Sequence, residues 1–220
     1  MCVSGVITTD PYQILEEQKR FYDSLYESQS NDINSKIIKT FLSNLDMPTL
    51  SEEQKQTCEG EISIEELESV LNSFQNNKSP GNDGLPIEFY KTCWNLISES
   101  FMECVQPSFK YGEMSNSQRK AVSTLIEKQG RDRTLIENWR PISLINVDAT
   151  IISKVIAVRV ENVLPKIIHH NQTGYVKDRY IGETVRSIFD IMEFTDNENI
   201  PGILIFIDFK KALDTVEWHF

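Results

Sequence analysis

The spacing of apolar residues along the chain predicts a mostly helical protein. Apolar and aromatic side chains recur three and four residues apart from Tyr12 to Tyr26, which is typical of an amphipathic helix. Ser63 and Glu66 form a capping-box pattern, so a helix is expected to begin there. The same spacing predicts helices over 89–105, 151–165 and 182–194, the last with four side chains turned inward: Val185, Ile188, Phe189 and Met192.

The middle of the chain predicts a β-hairpin. Residues 121–126 are typical of a strand, and residues 129–133 of a polar turn. Pro141 favours an extended backbone at Arg140, which places this arginine on the second arm. With Lys128 on the first arm, the hairpin would present two cations toward one space. Such a pair suits a triphosphate, because arginine gives a forked contact and lysine a point charge.

The last apolar run of the chain, at 203–207, predicts a strand buried on both faces. The run ends at Asp208. A carboxylate at the exit of a buried strand suits a hard cation such as Mg²⁺. The alternative is that Asp208 caps a following helix, since aspartate is a common N-cap residue. The local pattern leaves both interpretations open.

Charge is spread unevenly along the chain. The net charge is −11, and residues 1–100 carry 7 basic against 17 acidic side chains. Residues 110–179 instead carry 12 basic against 7 acidic side chains. A basic middle is typical of a phosphate-facing surface, although solvated charges on helices and turns would give the same count. The acidic stretch at 51–61 predicts a linker, which divides the chain into a helical segment with linker, 1–61, and a second domain, 62–220.

Composition narrows the class of protein. The chain has 220 residues, 40% of them hydrophobic and 25% charged, which is ordinary for a globular protein. No segment approaches the length of a membrane span, so no membrane partner is expected. The four cysteines lack C-x-x-C spacing. Free thiols in an intracellular, reducing compartment are therefore expected, with no disulfide-linked partner.

Four segments, in this order, carry a resemblance to a known family. They read SPGNDGLP at 79–86, WRPISL at 139–144, QTGYV at 172–176 and IDFKKALD at 207–214. Together they resemble the reverse transcriptase domain of non-LTR (LINE-type) retrotransposons over residues 62–220. Residues 1–61 are similar to the segment that joins the endonuclease of that family to its polymerase.

The resemblance implies an α+β fold, mostly helical with short strands, of the right-hand polymerase type. This chain would supply the fingers and part of the palm. The implied activity is that of an RNA-directed DNA polymerase with two Mg²⁺ ions as cofactors. The implied partners are an RNA template, a DNA primer and deoxynucleoside triphosphates, in the cytoplasm or nucleus.

The resemblance also assigns roles to residues of the active site. Asp208 matches the first catalytic aspartate, and with the carbonyl of Phe209 it would bind the two metal ions. Arg140 matches the fingers arginine that contacts the incoming triphosphate, and Lys128 is similar to its basic partner. Leu213 falls at the gate beside the sugar, where the family usually has an aromatic residue.

A second block would face the template. Gln172, Gly174 and Arg179 lie in this fingers block by resemblance. Two departures from the family pattern affect the site: Asp178 replaces a common glycine, and Glu127 places a negative charge beside Lys128. The alternative to a polymerase piece is a non-catalytic remnant that acts as an RNA-binding or protein-interaction module.

The second carboxylate element of the family, an Asp-Asp pair, is not found in residues 1–220. One aspartate and a carbonyl cannot hold two metal ions, so we expect no polymerase activity from these residues alone. Primer extension on an RNA template with the purified chain tests this expectation. Nucleotide incorporation that disappears in Asp208→Asn would show it to be wrong.

Overall fold

The structure, a computed structural model, describes residues 2–3, 6–28, 35–46, 48–209, 211–212, 214 and 216. Within these residues the chain is mainly helical with short strands, in agreement with the sequence. The helices are α1 (Pro11–Tyr26), α2 (Ser35–Ser43), α3 (Glu52–Glu59), α4 (Ile64–Ser73), α5 (Ile87–Tyr111), α6 (Val147–Ile167) and α7 (Ile181–Asn197). The strands are β1 (Cys2–Val3), β2 (Val6–Ile7), β3 (Ala121–Glu127) and β4 (Trp139–Ile145), with a 3₁₀ turn at Ile136–Asn138.

The chain forms two compact units. The first unit comprises residues 1–47, 125–140 and 190–220. In it β1 and β2 pair in antiparallel fashion, and α1 contacts the 3₁₀ turn. The second, which we call the helical core unit, comprises residues 48–124 and 141–189.

The helical core unit is built around α4, which packs against both α5 and α6. Leu67, Val70 and Leu71 of α4 are buried and form its packing face. Tyr90 and Trp94 of α5 are also buried, so these aromatic residues belong to the core and do not form a surface for stacking bases. The core cluster consists of Ile62, Leu67, Val70, Leu71, Ile87, Tyr90, Trp94, Val105, Ile151, Ile152 and Val155.

The expectation of a linker at 51–61 is wrong, because the stretch contains α3. Ser51 and Gln54 form a capping box at its start, in which each side chain accepts a hydrogen bond from the backbone N–H of the other. This reciprocal cap compensates for the polar composition of the helix. Helix α3 also packs against α6, so it belongs to the folded unit. The domain boundary between residues 61 and 62 stays a prediction.

A buried arginine ties α3, α4 and α6 together. Arg159 of α6 is 6% exposed and forms an ion pair with Glu66, with N–O distances of 2.8 and 2.6 Å. Its remaining N–H groups donate to the carbonyls of Cys58, Gly60 and Glu61 at the end of α3. All five guanidinium hydrogens thereby have acceptors, as a buried arginine requires.

Helix α7 forms as predicted, but its expected inward face is wrong. No residue of α7 is buried, and Val185, Phe189 and Met192 are 49%, 62% and 47% exposed. Helical spacing identifies an apolar stripe and does not show whether another element covers it. Here no described element buries the stripe.

The strand expected at 203–207 is also absent from the structure. These residues have no regular secondary structure, and Ile203 and Phe206 are 90% and 79% exposed. A strand needs a neighbour to pair its backbone N–H and C=O groups. In the described residues the strands pair only as β1 with β2 and β3 with β4, so no such neighbour is present.

The SPGNDG segment packs closely against the start of α6. Asn146, the buried N-cap residue of α6, accepts a hydrogen bond from the Asp83 N–H and donates one to the Ser117 carbonyl. A Cβ at Gly81 would overlap the backbone and side chain of Asn146. The glycine is therefore required by this close approach.

We expect Gly81→Ala to lower the free energy of unfolding by about 1–3 kcal/mol, the usual cost of overpacking. The matched control is Gly174→Ala, because no atom lies within 4 Å of the Cβ added there. Urea unfolding followed by circular dichroism measures both changes. An equal loss in the two variants would contradict the packing argument.

The ion pair also predicts a pH dependence of stability. The hydrogen bonds from Arg159 hold the pKa of Glu66 below its usual value of 4.5. The contribution of Glu66 is therefore complete above pH 4.5 and is lost as the pH falls through its lowered folded-state pKa. We expect Glu66→Gln to reduce the urea midpoint most at neutral pH, with a smaller difference from wild type well below pH 4.5. Glu68→Gln, at an exposed position of the same helix, should differ little from wild type at either pH.

Candidate functional site

The predicted hairpin is confirmed. Strands β3 and β4 form a two-stranded sheet, and the Lys128 N–H donates to the Asn138 carbonyl at 2.9 Å. The hydroxyls of Ser123 and Ser143 lie 3.3 Å apart farther along the strands. From one pair to the other, the residue number falls on β3 and rises by the same amount on β4, which shows that the two strands are antiparallel. Lys128 and Arg140 consequently lie at the same, loop-bearing end of the hairpin.

Local hydrogen bonds order the loop between the strands. Asp132 accepts from the N–H and the hydroxyl of Thr134, at 2.8 and 2.7 Å, and these bonds lower the pKa of its carboxyl group. The indole N–H of Trp139 donates to the Arg133 carbonyl at 3.0 Å. Gly130 has a φ of 71°, a conformation that glycine adopts readily. The loop is therefore held by its own residues.

The charged side chains at this end of the hairpin differ in their partners. Lys128 donates from Nζ to the Glu137 carbonyl at 2.9 Å. Glu127 forms an ion pair with Arg133 at 2.6 Å, so Arg133 compensates its negative charge. Arg140 is exposed, and its guanidinium has no partner among the described residues. Like Arg131 in the loop, which is also exposed and has no side-chain partner among the described residues, Arg140 remains available to a ligand.

The residues expected to hold metal ions lie close to the last residues that the structure describes. Asp208 and Phe209 are both exposed, and Leu213 lies outside the described residues. Within the described part of the chain, no group of three or more histidine, cysteine, aspartate or glutamate side chains could hold a metal ion. The assignment of Asp208 and the Phe209 carbonyl as metal ligands therefore stays a prediction.

Arg179 of the fingers block lies within its own loop. Its guanidinium donates to four backbone carbonyls at 2.6–2.9 Å, those of Pro165, Ile168, His169 and Gln172. Three of these carbonyls end or follow α6, where carbonyls lack helical partners. The contacts show Arg179 as a residue that shapes the loop, and its predicted role near the template stays a prediction.

The backbone explains the departure at Asp178. This residue has a φ of 61°, in the left-handed region that favours glycine and that aspartate tolerates better than most residues. Gly174, in contrast, has open space at its Cβ position. Nothing within the described chain requires a glycine there, and its predicted role, like that of Gln172, stays untested.

Sequence reasoning missed the two side chains that organise the helical core unit, Arg159 and Asn146. The sequence pattern around Arg159 could have identified it. Arg159 falls in helical spacing with Ile152, Val155 and Val163, all of which are buried. A charge on a stripe predicted to be buried indicates a side chain with several buried acceptors.

Known proteins similar to this chain were identified by comparison. Residues 126–220 match the family described as reverse transcriptase (RNA-dependent DNA polymerase). The "Transposon TX1 uncharacterized 149 kDa protein" of Xenopus laevis is 34% identical over 216 residues, which are 98% of this chain and 16% of that protein. The "Putative 115 kDa protein in type-1 retrotransposable element R1DM" of Drosophila melanogaster is 24% identical over 161 residues, 71% of this chain and 15% of that protein.

Two further findings concern membrane helices and thiols. No helix in the described residues is both long and apolar enough to cross a membrane. Cys58, Cys93 and Cys104 are free thiols. The comparisons do not favour the alternative of a non-catalytic binding module. Residues 126–220 are therefore similar to reverse transcriptases, and the similarity to the two retrotransposon proteins supports a fragment of a non-LTR (LINE-type) reverse transcriptase.

Proposed function

We propose that the β3–β4 hairpin binds the phosphates of a deoxynucleoside triphosphate during RNA-directed DNA synthesis by a retrotransposon reverse transcriptase. One observation carries the proposal. Arg140 stands on an extended strand beside an ordered loop, and its guanidinium is exposed and unpartnered among the described residues. The reverse transcriptase family matches β4, the loop and the last two residues of β3, while residues 121–125 of β3 lie outside the match.

The neighbouring charges support the assignment to Arg140. Arg133 is neutralised by Glu127, and one donor of Lys128 is taken by the Glu137 carbonyl. The lysine ammonium has three N–H donors, so two remain for a phosphate oxygen. Arginine offers a planar fork for a second oxygen. In this proposal Arg140 makes the main contact and Lys128 supplies a supporting charge.

Finer assignments belong to the same proposal. Reverse transcriptases use divalent metal ions, nucleic acid templates and nucleotide substrates. We assign the hairpin and the block with Gln172, Gly174 and Arg179 to the fingers, and Asp208 to the palm. Magnesium at Asp208 and the Phe209 carbonyl stays a prediction, and nucleotide binding at Arg140 does not depend on it.

The test is nucleotide binding by the purified chain. Fluorescence anisotropy with a labelled deoxynucleoside triphosphate, at low salt, gives the dissociation constant. We expect Arg140→Gln to weaken binding about tenfold or more, because a hydrogen bond to a charged group contributes about 1.5–3 kcal/mol. Arg140→Lys should lie between wild type and Arg140→Gln, since it keeps the charge and loses the fork.

Lys120→Gln is the matched control for the loss of one positive charge. Lys120 is exposed and precedes β3, at the end of the hairpin away from the loop. This control should bind the nucleotide almost as wild type does. Equal weakening in Lys120→Gln and Arg140→Gln would overturn the proposal, and so would unchanged binding in Arg140→Gln.

A further inference from the structure

A cavity of about 460 Å³ in the helical core unit has an unusual charge. It opens where the end of α4, the start of α5, the end of β4 and the first turns of α6 meet. Its lining contains two lysines, Lys78 and Lys154, and no aspartate or glutamate. In the whole chain, acidic residues outnumber basic ones by 33 to 22. A positive cavity is therefore a local feature that the overall composition does not explain.

A second cavity gives a comparison within the same unit. Its volume is about 880 Å³, and its lining includes Glu59 and Glu61 beside the single cation Lys110. Although it is larger, its carboxylates would repel an anion. Only the smaller of these two cavities has the charge that an anionic ligand needs.

Two side chains of α5 hold the turn that carries Lys78. Lys91 donates from Nζ to the Phe74 carbonyl at 2.7 Å, and the Asn77 N–H donates to the Glu88 carboxylate at 2.5 Å. These side chains hold the backbone immediately before Lys78. The backbone that carries Lys78 is thus positioned before any ligand binds, which reduces the entropy lost on binding.

The polar groups of the cavity leave donors free for a ligand. The ammonium groups of Lys78 and Lys154 have no partner among the described residues. The hydroxyls of Ser73 and Thr150 donate to backbone carbonyls, at 2.6 and 3.1 Å, whereas the Ser79 hydroxyl makes no such bond within the described chain. Two cations and one hydroxyl donor suit the oxygens of a phosphate group.

Apart from Gln75, the rest of the lining is apolar. It includes the buried Ile87, the partly buried Phe74 and Val147, and the exposed Ile145. The volume lies within the range of small-ligand sites, about 300–1,000 Å³. A nucleotide unit combines an anionic phosphate with an aromatic base, and therefore matches both parts of this lining.

We propose that this cavity is a docking site for single-stranded nucleic acid. A backbone phosphate lies between Lys78 and Lys154, and the adjoining base packs on the apolar wall. The inference extends the proposed function from the nucleotide to the nucleic acid strand. It uses residues other than Lys128 and Arg140, so the two proposals can fail separately.

The test measures the binding of a labelled twelve-nucleotide oligouridine RNA by fluorescence anisotropy over a series of salt concentrations. We expect the double variant Lys78→Gln, Lys154→Gln to weaken binding about tenfold at low salt. The slope of log affinity against log salt should fall by roughly 0.7 for each lysine removed, the value for a phosphate contact on a single strand. Circular dichroism and the urea midpoint should match those of wild type, because both lysines are exposed.

The matched control is the double variant Lys120→Gln, Lys166→Gln. It removes two exposed lysines that do not line the cavity, one of them on α6. Equal weakening by the two double variants would overturn the inference, because binding would then follow net charge alone. Competition by uridine monophosphate at the same nucleotide concentration would also overturn it, since the cavity would then take a free nucleotide.

Measuring both triphosphate affinity and RNA affinity in the same variants distinguishes this inference from the proposed function. We expect Arg140→Gln to lose triphosphate affinity and to keep most of its RNA affinity. The Lys78→Gln, Lys154→Gln variant should show the opposite pattern. Loss of RNA affinity in Arg140→Gln alone would assign the strand to the hairpin and overturn the cavity as its site.

Discussion

The arrangement of the helical core unit depends on one buried guanidinium. Arg159 makes five hydrogen bonds, two to Glu66 and three to carbonyls after or at the end of α3. Without it, a carboxylate and three carbonyls would lose their shared donor, and unsatisfied buried groups are costly. Glu66 also accepts from the Ser63 N–H in the capping box of α4. One side chain of α6 therefore sets where α3 ends and where α4 begins.

Helix α6 carries a second anchor at its other end. Asn146 binds the backbone of Asp83 and Ser117 and leaves no room for a Cβ at Gly81. The SPGNDG segment is thus fixed by the same helix that Arg159 fixes to α3 and α4. The cavity with Lys78 and Lys154 lies between these two anchors, next to the end of β4. The two lysines stand on elements whose positions are set by neighbouring hydrogen bonds.

The sequence predicted well those features that depend on nearby residues. The capping box at Ser63, the hairpin and the extended Arg140 follow from local chemistry, and the structure has all three. The failures concern features that need a distant partner. The apolar stripe of α7 and the run at 203–207 have the pattern of buried elements, yet no described element covers them. Burial is a property of two surfaces, and a periodic pattern describes only one.

The same distinction applies to charge in the candidate site. Counting cations in the sequence treats Lys128, Arg133 and Arg140 alike. The structure separates them by their partners: a carbonyl for Lys128, a carboxylate for Arg133 and none in the described chain for Arg140. A carboxylate already bound to Arg133 also interferes less with a phosphate nearby than a free one would. The net charge of −11 is therefore a poor guide to phosphate binding, because the local pairing of charges decides which cations a ligand can reach.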